Sequence, residues 1–178
     1  MKKLILSLAI IAIGVSSVSA QTKKKEASKD KDFKFSVGLE AALPLGTFGD
    51  AYSFGIGGTV QADYTVADKF AITLNTGYID YLGKTVTIGG VSYKYASYGI
   101  VPLLAGAKYH FTEGLYGSAQ LGLSFGTGAG GGSNFTYVPG IGYNITKDFD
   151  VLLKYVGMSS KGGGSSSSIG LRVAYTFD

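Results

Sequence analysis

The chain has 178 residues, with 16 Lys and Arg against 12 Asp and Glu, 28 Gly, and no Cys or Trp. The lack of cysteine excludes disulfides, thiolate metal sites and the modified cysteine of a lipoprotein. Seven of the basic and three of the acidic residues lie in residues 1–32, so the rest of the chain carries nine of each. A neutral body argues against nucleic acid as a partner, because such a surface would be basic.

The first segment, residues 1–20, is predicted to be a secretory signal peptide. Two lysines precede an apolar run, Leu4–Val15, and Val18 and Ala20 stand at the −3 and −1 positions of a cleavage site. A membrane anchor is the alternative, but the run is shorter than the roughly 20 residues that span a bilayer. We therefore expect export, with residues 21–32 forming a polar periplasmic linker.

A repeated pattern then predicts the number of strands. Four segments place a tyrosine two positions before an apolar residue: Tyr64–Val66, Tyr109–Phe111, Tyr143–Ile145 and Tyr175–Phe177. Short polar turns follow the first three, and new apolar runs then start at Phe70, Leu115 and Phe149. Phe33 is a fourth start, because residues 31–33 repeat the Lys-Asp-Phe of residues 147–149. Four starts and four ends predict eight strands, joined by three-residue turns on one side.

The two faces of these strands indicate where the barrel resides. One face is rich in Leu, Ile, Val and aromatic residues, and the other in Gly, Ser and Thr with few charges. Alternation alone indicates strands, but a small, sparsely charged polar face suits a narrow interior filled by side chains. Because unpaired edges in lipid are costly, the last strand must pair with the first, 33–43. We therefore predict an all-β protein, an eight-stranded antiparallel transmembrane up-and-down β-barrel over residues 33–178.

Tyrosines one step inside the short turns are predicted to form a periplasmic aromatic girdle at the membrane interface. These are Tyr64, Tyr109, Tyr143 and Tyr175.

The opposite connections are longer and are predicted to be extracellular loops: Pro44–Ser53, Gly83–Ser97, Gly126–Asn134 and Met158–Ser168. The second contains a predicted hairpin with a two-residue glycine turn, made of Ile88, Gly89, Gly90, Val91, Tyr93 and Tyr95. Its register continues down to a Phe70–Tyr109 pair, so strands three and four are expected to form one ladder that extends beyond the membrane. This hairpin either docks a protein partner by edge pairing or is a stiff loop with no partner. The glycine- and serine-rich third and fourth loops are expected to be flexible connectors.

The inward face is predicted to carry a polar layer at mid-height: Gln61, Asn75, Gln120, Lys154 and Arg172, with Glu40 slightly higher. Buried charges must pair, so we expect a Glu40–Arg172 pair that plugs the interior. The alternative is a narrow gated path for ions. The single histidine, His110, is expected at the barrel rim near a short turn, and neither a catalytic nor a metal or cofactor site is predicted.

The run IVPLLAGAKYHF at 100–111 and the ending VAYTFD resemble the small bacterial outer-membrane β-barrel family, sometimes labelled porin-like. The architecture is similar to that of OmpX and the membrane domain of OmpA. The resemblance implies an outer-membrane location in a Gram-negative bacterium, contact with lipid and lipopolysaccharide, and insertion by the barrel-assembly machinery.

The resemblance to this family leaves two functions open. The first is a non-enzymatic structural or surface-interaction role through the extracellular loops. The second is a narrow pore, or a carrier for ions or small molecules like the OmpW-like relatives, although the polar inward residues argue against an apolar lumen.

Overall fold

The computed structural model describes residues 33–88, 91–128, 131–160 and 162–177. The predicted signal peptide and linker lie outside the described residues, as do Gly89 and Gly90 of the predicted hairpin. The described elements, in chain order, are β1 Phe33–Leu45, α1 Gly46–Ala51, β2 Tyr52–Ala67, β3 Phe70–Gly83, β4 Thr85–Ile88, β5 Val91–Lys94, β6 Tyr98–His110, β7 Leu115–Gly126, β8 Ser133–Asn144, β9 Phe149–Ser160 and β10 Ser165–Phe177.

Eight of these strands close into a barrel in the order β1–β2–β3–β6–β7–β8–β9–β10 and back to β1. Every neighbouring pair is antiparallel. The closing pair, β1 and β10, runs from Phe35↔Phe177 to Leu45↔Ser167. Closure leaves no unpaired edge in the barrel sheet. The predicted eight-stranded antiparallel up-and-down barrel is therefore confirmed.

The outer surface of the barrel is a continuous apolar belt. On β10, Leu171 and Val173 point outward and are 42% and 44% exposed, whereas Arg172 and Ala174 beside them are each 1% exposed. The same alternation places large exposed hydrophobic residues on all eight barrel strands. A soluble monomer rarely exposes an apolar surface of this extent, so the outside of the barrel is suited to lipid and the inside to the polar residues.

The barrel has a turn end, where short connections join β2–β3, β6–β7 and β8–β9, and a loop end, where the longer connections lie. The loop-end strands are longer than predicted. Ser165 pairs with Ser159 and Ser168 with Val156, so most of Met158–Ser168 is strand. The prediction of a flexible connector there was wrong, because strand pairing satisfies backbone groups and serine side chains do not prevent it.

The first long connection contains the short helix α1, which the sequence pattern did not predict. Gly46 enters it with a φ of 55°, a left-handed conformation that favours glycine. The helix contacts β1, β2 and β10 at the loop end, and its Phe48 is buried.

The hairpin β4–β5 is a separate two-stranded sheet beyond the barrel. Its register, Thr85↔Lys94 to Ile88↔Val91, continues that of Phe70↔Tyr109 between β3 and β6. The two sheets are nevertheless not one ladder as predicted. Lys84, between them, donates its backbone N–H to Ala51 O of α1 at 2.8 Å, which diverts this N–H from the opposite strand.

Candidate functional site

The inward-facing side chains divide the lumen into two halves. The half nearer the turn end is polar and charged, and the half nearer the loop end is apolar. Among the described residues, two carboxylates and three cations are buried in the interior: Glu40, Asp150, Lys108, Lys154 and Arg172. Asp63 is half-buried and pairs with Lys108.

The predicted Glu40–Arg172 ion pair is present, and it belongs to a cluster centred on Glu40 that also contains Lys154. Lys154 Nζ lies 2.8 Å from both carboxylate oxygens of Glu40. Thr59 Oγ1 donates to Glu40 Oε1 at 2.9 Å and accepts from Arg172 Nε at 3.0 Å. Arg172 Nη2 donates to Ser36 Oγ at 2.9 Å, while Arg172 Nε stays 3.8 Å from Glu40. Although Glu40 and Arg172 are register partners, the closest ion pair of Glu40 is therefore with Lys154.

The three predicted amides meet in a second cluster. Gln61 Oε1 accepts from Asn75 Nδ2 at 3.3 Å and from Gln120 Nε2 at 3.0 Å. Gln120 Nε2 also donates to Thr73 Oγ1 at 3.0 Å, and Gln61 Nε2 donates to Asp63 Oδ1 at 2.8 Å. These contacts join side chains from β2, β3 and β7 across the lumen.

Four further contacts lie below these clusters, toward the turn end. Lys108 Nζ is 2.6 Å from Asp63 Oδ2 and 4.7 Å from the centre of the Tyr116 ring. Tyr116 Oη donates to Asp150 Oδ1 at 2.5 Å. The ring of His110 lies 5.6 Å from that of Tyr116, at the turn-end mouth. Sequence reasoning missed the Tyr116–Asp150 bond, although the inward positions of both residues were a usable signal.

Glycines on intervening strands make this cross-strand reach possible. The Tyr116 side chain passes over Gly142, where an added Cβ would stand 2.1 Å from Tyr116 Cζ. The Arg172 side chain passes over Gly38, where a Cβ would stand 2.5 Å from Arg172 Nε. Each long side chain therefore crosses a strand that has no side chain at the crossing point and bonds to a residue beyond it.

The half of the lumen nearer the turn end is filled by a plug of polar side chains that are all hydrogen-bonded. Among the described residues, no buried side-chain nitrogen or oxygen lacks a hydrogen-bond partner. Such networks are rigid when complete, because any displaced member leaves its partners unpaired in a medium of low dielectric constant.

The half of the lumen nearer the loop end, called the outer half below, is apolar, whereas a polar interior was predicted. It is filled by a buried apolar cluster of Ala42, Phe48, Ile79, Tyr81, Ile100, Leu104, Val138, Val156 and Met158. Tyr81 is fully buried and reaches from β3 across Gly55 to Ser168 on β10, where the two hydroxyl oxygens are 3.2 Å apart. The expectation that polar residues would exclude an apolar lumen was therefore wrong for this half.

An aromatic group closes the loop-end mouth. The Phe48 ring centre lies 4.9 Å from that of Tyr81 and 4.8 Å from that of Tyr52. Tyr52 in turn lies 6.1 Å from Tyr98. These rings come from α1, β2, β3 and β6, so the mouth is closed from several sides.

The four predicted girdle tyrosines point outward at the turn end, where they pack beside other rings. Ring centres are 6.2 Å apart for Tyr64 and Phe33, 5.4 Å for Tyr109 and Phe111, and 5.0 Å for Tyr175 and Phe149. Tyr143 is also exposed there and lies over Gly114. A second outward group of aromatic residues lies nearer the loop end: Tyr78, Phe125, Phe135, Tyr137 and Tyr155. Two aromatic bands that flank an apolar belt are the pattern of membrane barrels.

The described residues of the predicted hairpin lie outside the barrel wall. Ile88 and Val91 are backbone partners at the described tip, and Tyr93 and Tyr95 are 60% and 48% exposed. Thr87 Oγ1 and Ser92 Oγ lie 2.9 Å apart on the neighbouring row of side chains.

No group of three or more His, Cys, Asp or Glu side chains in the described part of the chain could hold a metal ion. No helix within the described ranges is both long and apolar enough to cross a bilayer.

No protein-family model matches the chain, and no curated protein matches it significantly. Solved structures do match. Ail of Yersinia pestis in a phospholipid nanodisc is 12% identical with a TM-score of 0.59, over 82% of this chain and 100% of that one. The N-terminal barrel of Pseudomonas aeruginosa OprF is 16% identical with a TM-score of 0.56, over 84% and 100%. Neisserial surface protein A is 15% identical with a TM-score of 0.51, over 84% and 100%. The chain therefore has the fold of the small eight-stranded outer-membrane β-barrels.

Proposed function

We propose that this chain is a non-enzymatic protein of the bacterial outer membrane that acts through its extracellular loops, chiefly the hairpin β4–β5. The turn end faces the periplasm in this arrangement, and the loop end faces outward. The apolar belt contacts lipid and lipopolysaccharide, and the barrel-assembly machinery inserts the chain. The two aromatic bands support this placement, since aromatic residues favour both membrane interfaces.

The observation that carries the proposal is the contrast between a filled lumen and an exposed hairpin. The satisfied polar plug and the apolar cluster together occupy the interior, which disfavours transport or catalysis inside the barrel. The hairpin instead stands outside with Tyr93 and Tyr95 accessible. Exposed aromatic side chains are a common feature of recognition surfaces.

The hairpin offers two kinds of contact. Because β4 and β5 pair only with each other in the described sheet, each has an open edge that can accept a strand from another chain. Lys94, on the opposite face of β5, adds a positive charge to the hairpin. Ail has been crystallised with the heparin analogue sucrose octasulfate, which makes a sulfated glycan the first ligand to assay.

The test is adhesion of bacterial cells that display the full chain to surfaces coated with heparin and to epithelial monolayers. A variant with Tyr93→Ser and Tyr95→Ser should lose most of the adhesion. A matched variant with Thr85→Ser and Thr87→Ser, in the same hairpin, should retain it. Equal adhesion by all three proteins, at equal surface levels, would contradict a role for the hairpin tyrosines.

A narrow ion pore is the second candidate, and the buried charged cluster of Glu40, Lys154 and Arg172 is the observation that favours it. Single-channel recordings in planar bilayers separate the two functions. We expect silence from the wild-type barrel, and leak from Glu40→Ala and Arg172→Ala if the plug loosens. Discrete wild-type current steps that either substitution alters would instead favour a pore gated by this cluster.

A further inference from the structure

The outer half of the lumen has the character of a binding chamber that one side chain of the protein occupies. Its walls come from the barrel strands and are apolar, with Ile100 and Met158 1% and 3% exposed. The Phe48 ring completes the packing from above and belongs to α1, which is not part of the wall. The chamber is therefore filled in part by a group carried on a loop.

Little in α1 itself holds this helix in place. It has six residues and no side-chain N-cap hydrogen bond. A helix of this length is not stable in water without tertiary contacts, because nucleation is unfavourable. Its position therefore depends on the packing of Phe48 and on contacts from neighbouring segments.

Lys84, at the base of the hairpin, supplies such contacts. Its backbone N–H donates to Ala51 O at 2.8 Å, and its Nζ donates to Gly49 O at 2.5 Å. Its own carbonyl oxygen accepts from Tyr95 N at 2.9 Å, which ties the same residue to the hairpin. Both contacts from Lys84 to α1 fall in the last turn of the helix, so Lys84 acts as a latch between the hairpin and α1.

We propose that α1 is a displaceable lid, latched by Lys84, over an apolar chamber that binds a phenyl-sized apolar group in the place of Phe48. The present occupant defines the ligand class: a benzene ring that packs 4.9 Å from the Tyr81 ring, among aliphatic side chains and Met158. Closed cavities of about 150 Å³ with such linings stay dry and bind benzene. The ligand and Phe48 compete for one space, so the apparent affinity is reduced by the fraction of molecules with the lid closed.

The test is a benzene titration of the full-length protein in lipid nanodiscs, followed by NMR of ¹³C-labelled methyl groups. The chamber reports through Ile100, Val156 and Met158. The outward-facing Ile72 and Ile141, 51% and 50% exposed, report benzene that merely partitions into lipid. Specific binding shifts the first set with saturation, whereas partitioning shifts the second set in proportion to concentration.

The latch is tested with Lys84→Ala, and Lys94→Ala in the same hairpin is the matched control. Loss of the Nζ contact should raise the open fraction and lower the apparent Kd for benzene by about threefold or more. Lys94→Ala should behave like the wild type. Identical titrations of the two variants would overturn the latch and with it the proposal.

A second pair of variants keeps the chamber testable if wild-type binding is too weak to saturate. Phe48→Ala removes the occupant and should give saturable shifts at the lowest benzene concentrations, while Phe48→Trp should block them. Chamber methyls in Phe48→Ala that only follow the lipid-facing methyls would overturn the chamber. Saturation in Phe48→Ala, but in neither the wild type nor Lys84→Ala, would show that the lid does not open. These results do not depend on the adhesion assay, so either proposal can fail alone.

Discussion

The two halves of the lumen are filled by different kinds of side chains. Near the turn end, long polar side chains such as Arg172 cross glycines and join hydrogen-bonded clusters. Near the loop end, wall residues leave room that Phe48 fills from a loop. Truncation in the polar half leaves a buried group without a partner, whereas truncation of Phe48 in the apolar half removes packing alone. The polar half should therefore be the less tolerant of substitution.

The largest loss of unfolding free energy is expected when Glu40 is substituted. Glu40→Ala leaves Lys154 and Arg172 buried without their shared carboxylate, and loss of one partner of a buried ion pair typically lowers the free energy of unfolding by about 3–5 kcal/mol. Urea-induced unfolding in lipid bilayers measures this loss. Glu113→Ala, in an exposed turn, is the control and should change the unfolding free energy little. A loss at Glu40 no greater than at Glu113 would contradict the assigned role of the carboxylate.

The second-largest loss of unfolding free energy is expected when Gly142 is substituted. In Gly142→Ala the new methyl group collides with the Tyr116 ring, which must move away from Asp150. Overpacking and the weakened hydrogen bond together should lower the free energy of unfolding by about 2–3 kcal/mol. Gly132→Ala is the matched control, because no heavy atom lies within 4 Å of its added Cβ. Similar unfolding midpoints for the two variants would show that the crossing is not tight.

A smaller effect is expected for Phe48→Ala in the apolar half. The variant loses the buried ring but leaves no polar group unpaired, so the free energy of unfolding should fall by about 2 kcal/mol. Thr47→Ala, exposed on the same helix, controls for changes in α1 itself. If Phe48→Ala proved more damaging than Glu40→Ala, the contrast between the two halves would be reversed.

The smallest effect is expected for Tyr81→Phe. This change keeps the ring and removes only the hydroxyl that lies 3.2 Å from Ser168 Oγ. A single neutral hydrogen bond contributes about 1 kcal/mol to the free energy of unfolding. Tyr81→Leu would also remove ring packing and should lower it further. Equal stability of these two variants would indicate that the ring contributes no packing.

The architecture was predictable from the sequence because its signals are local. Alternation fixes which residues share a face, and the repeated tyrosine-to-turn pattern fixes where strands end. The pairing Phe70↔Tyr109 matches the register that follows from the predicted two-residue glycine turn. The inward positions of Glu40, Lys154 and Arg172 likewise required only the period of two.

The contacts inside the barrel were decided by the tertiary structure. Lys108 on β6 meets Asp63 on β2 across β3, and Lys154 rather than Arg172 binds Glu40 most closely. Such choices depend on how the closed sheet brings non-adjacent strands to one height and on which crossing point is a glycine. The position of Phe48 depends on the path of a loop. Strand periodicity does not encode that path, so only the folded chain shows that the barrel mouth is closed from within.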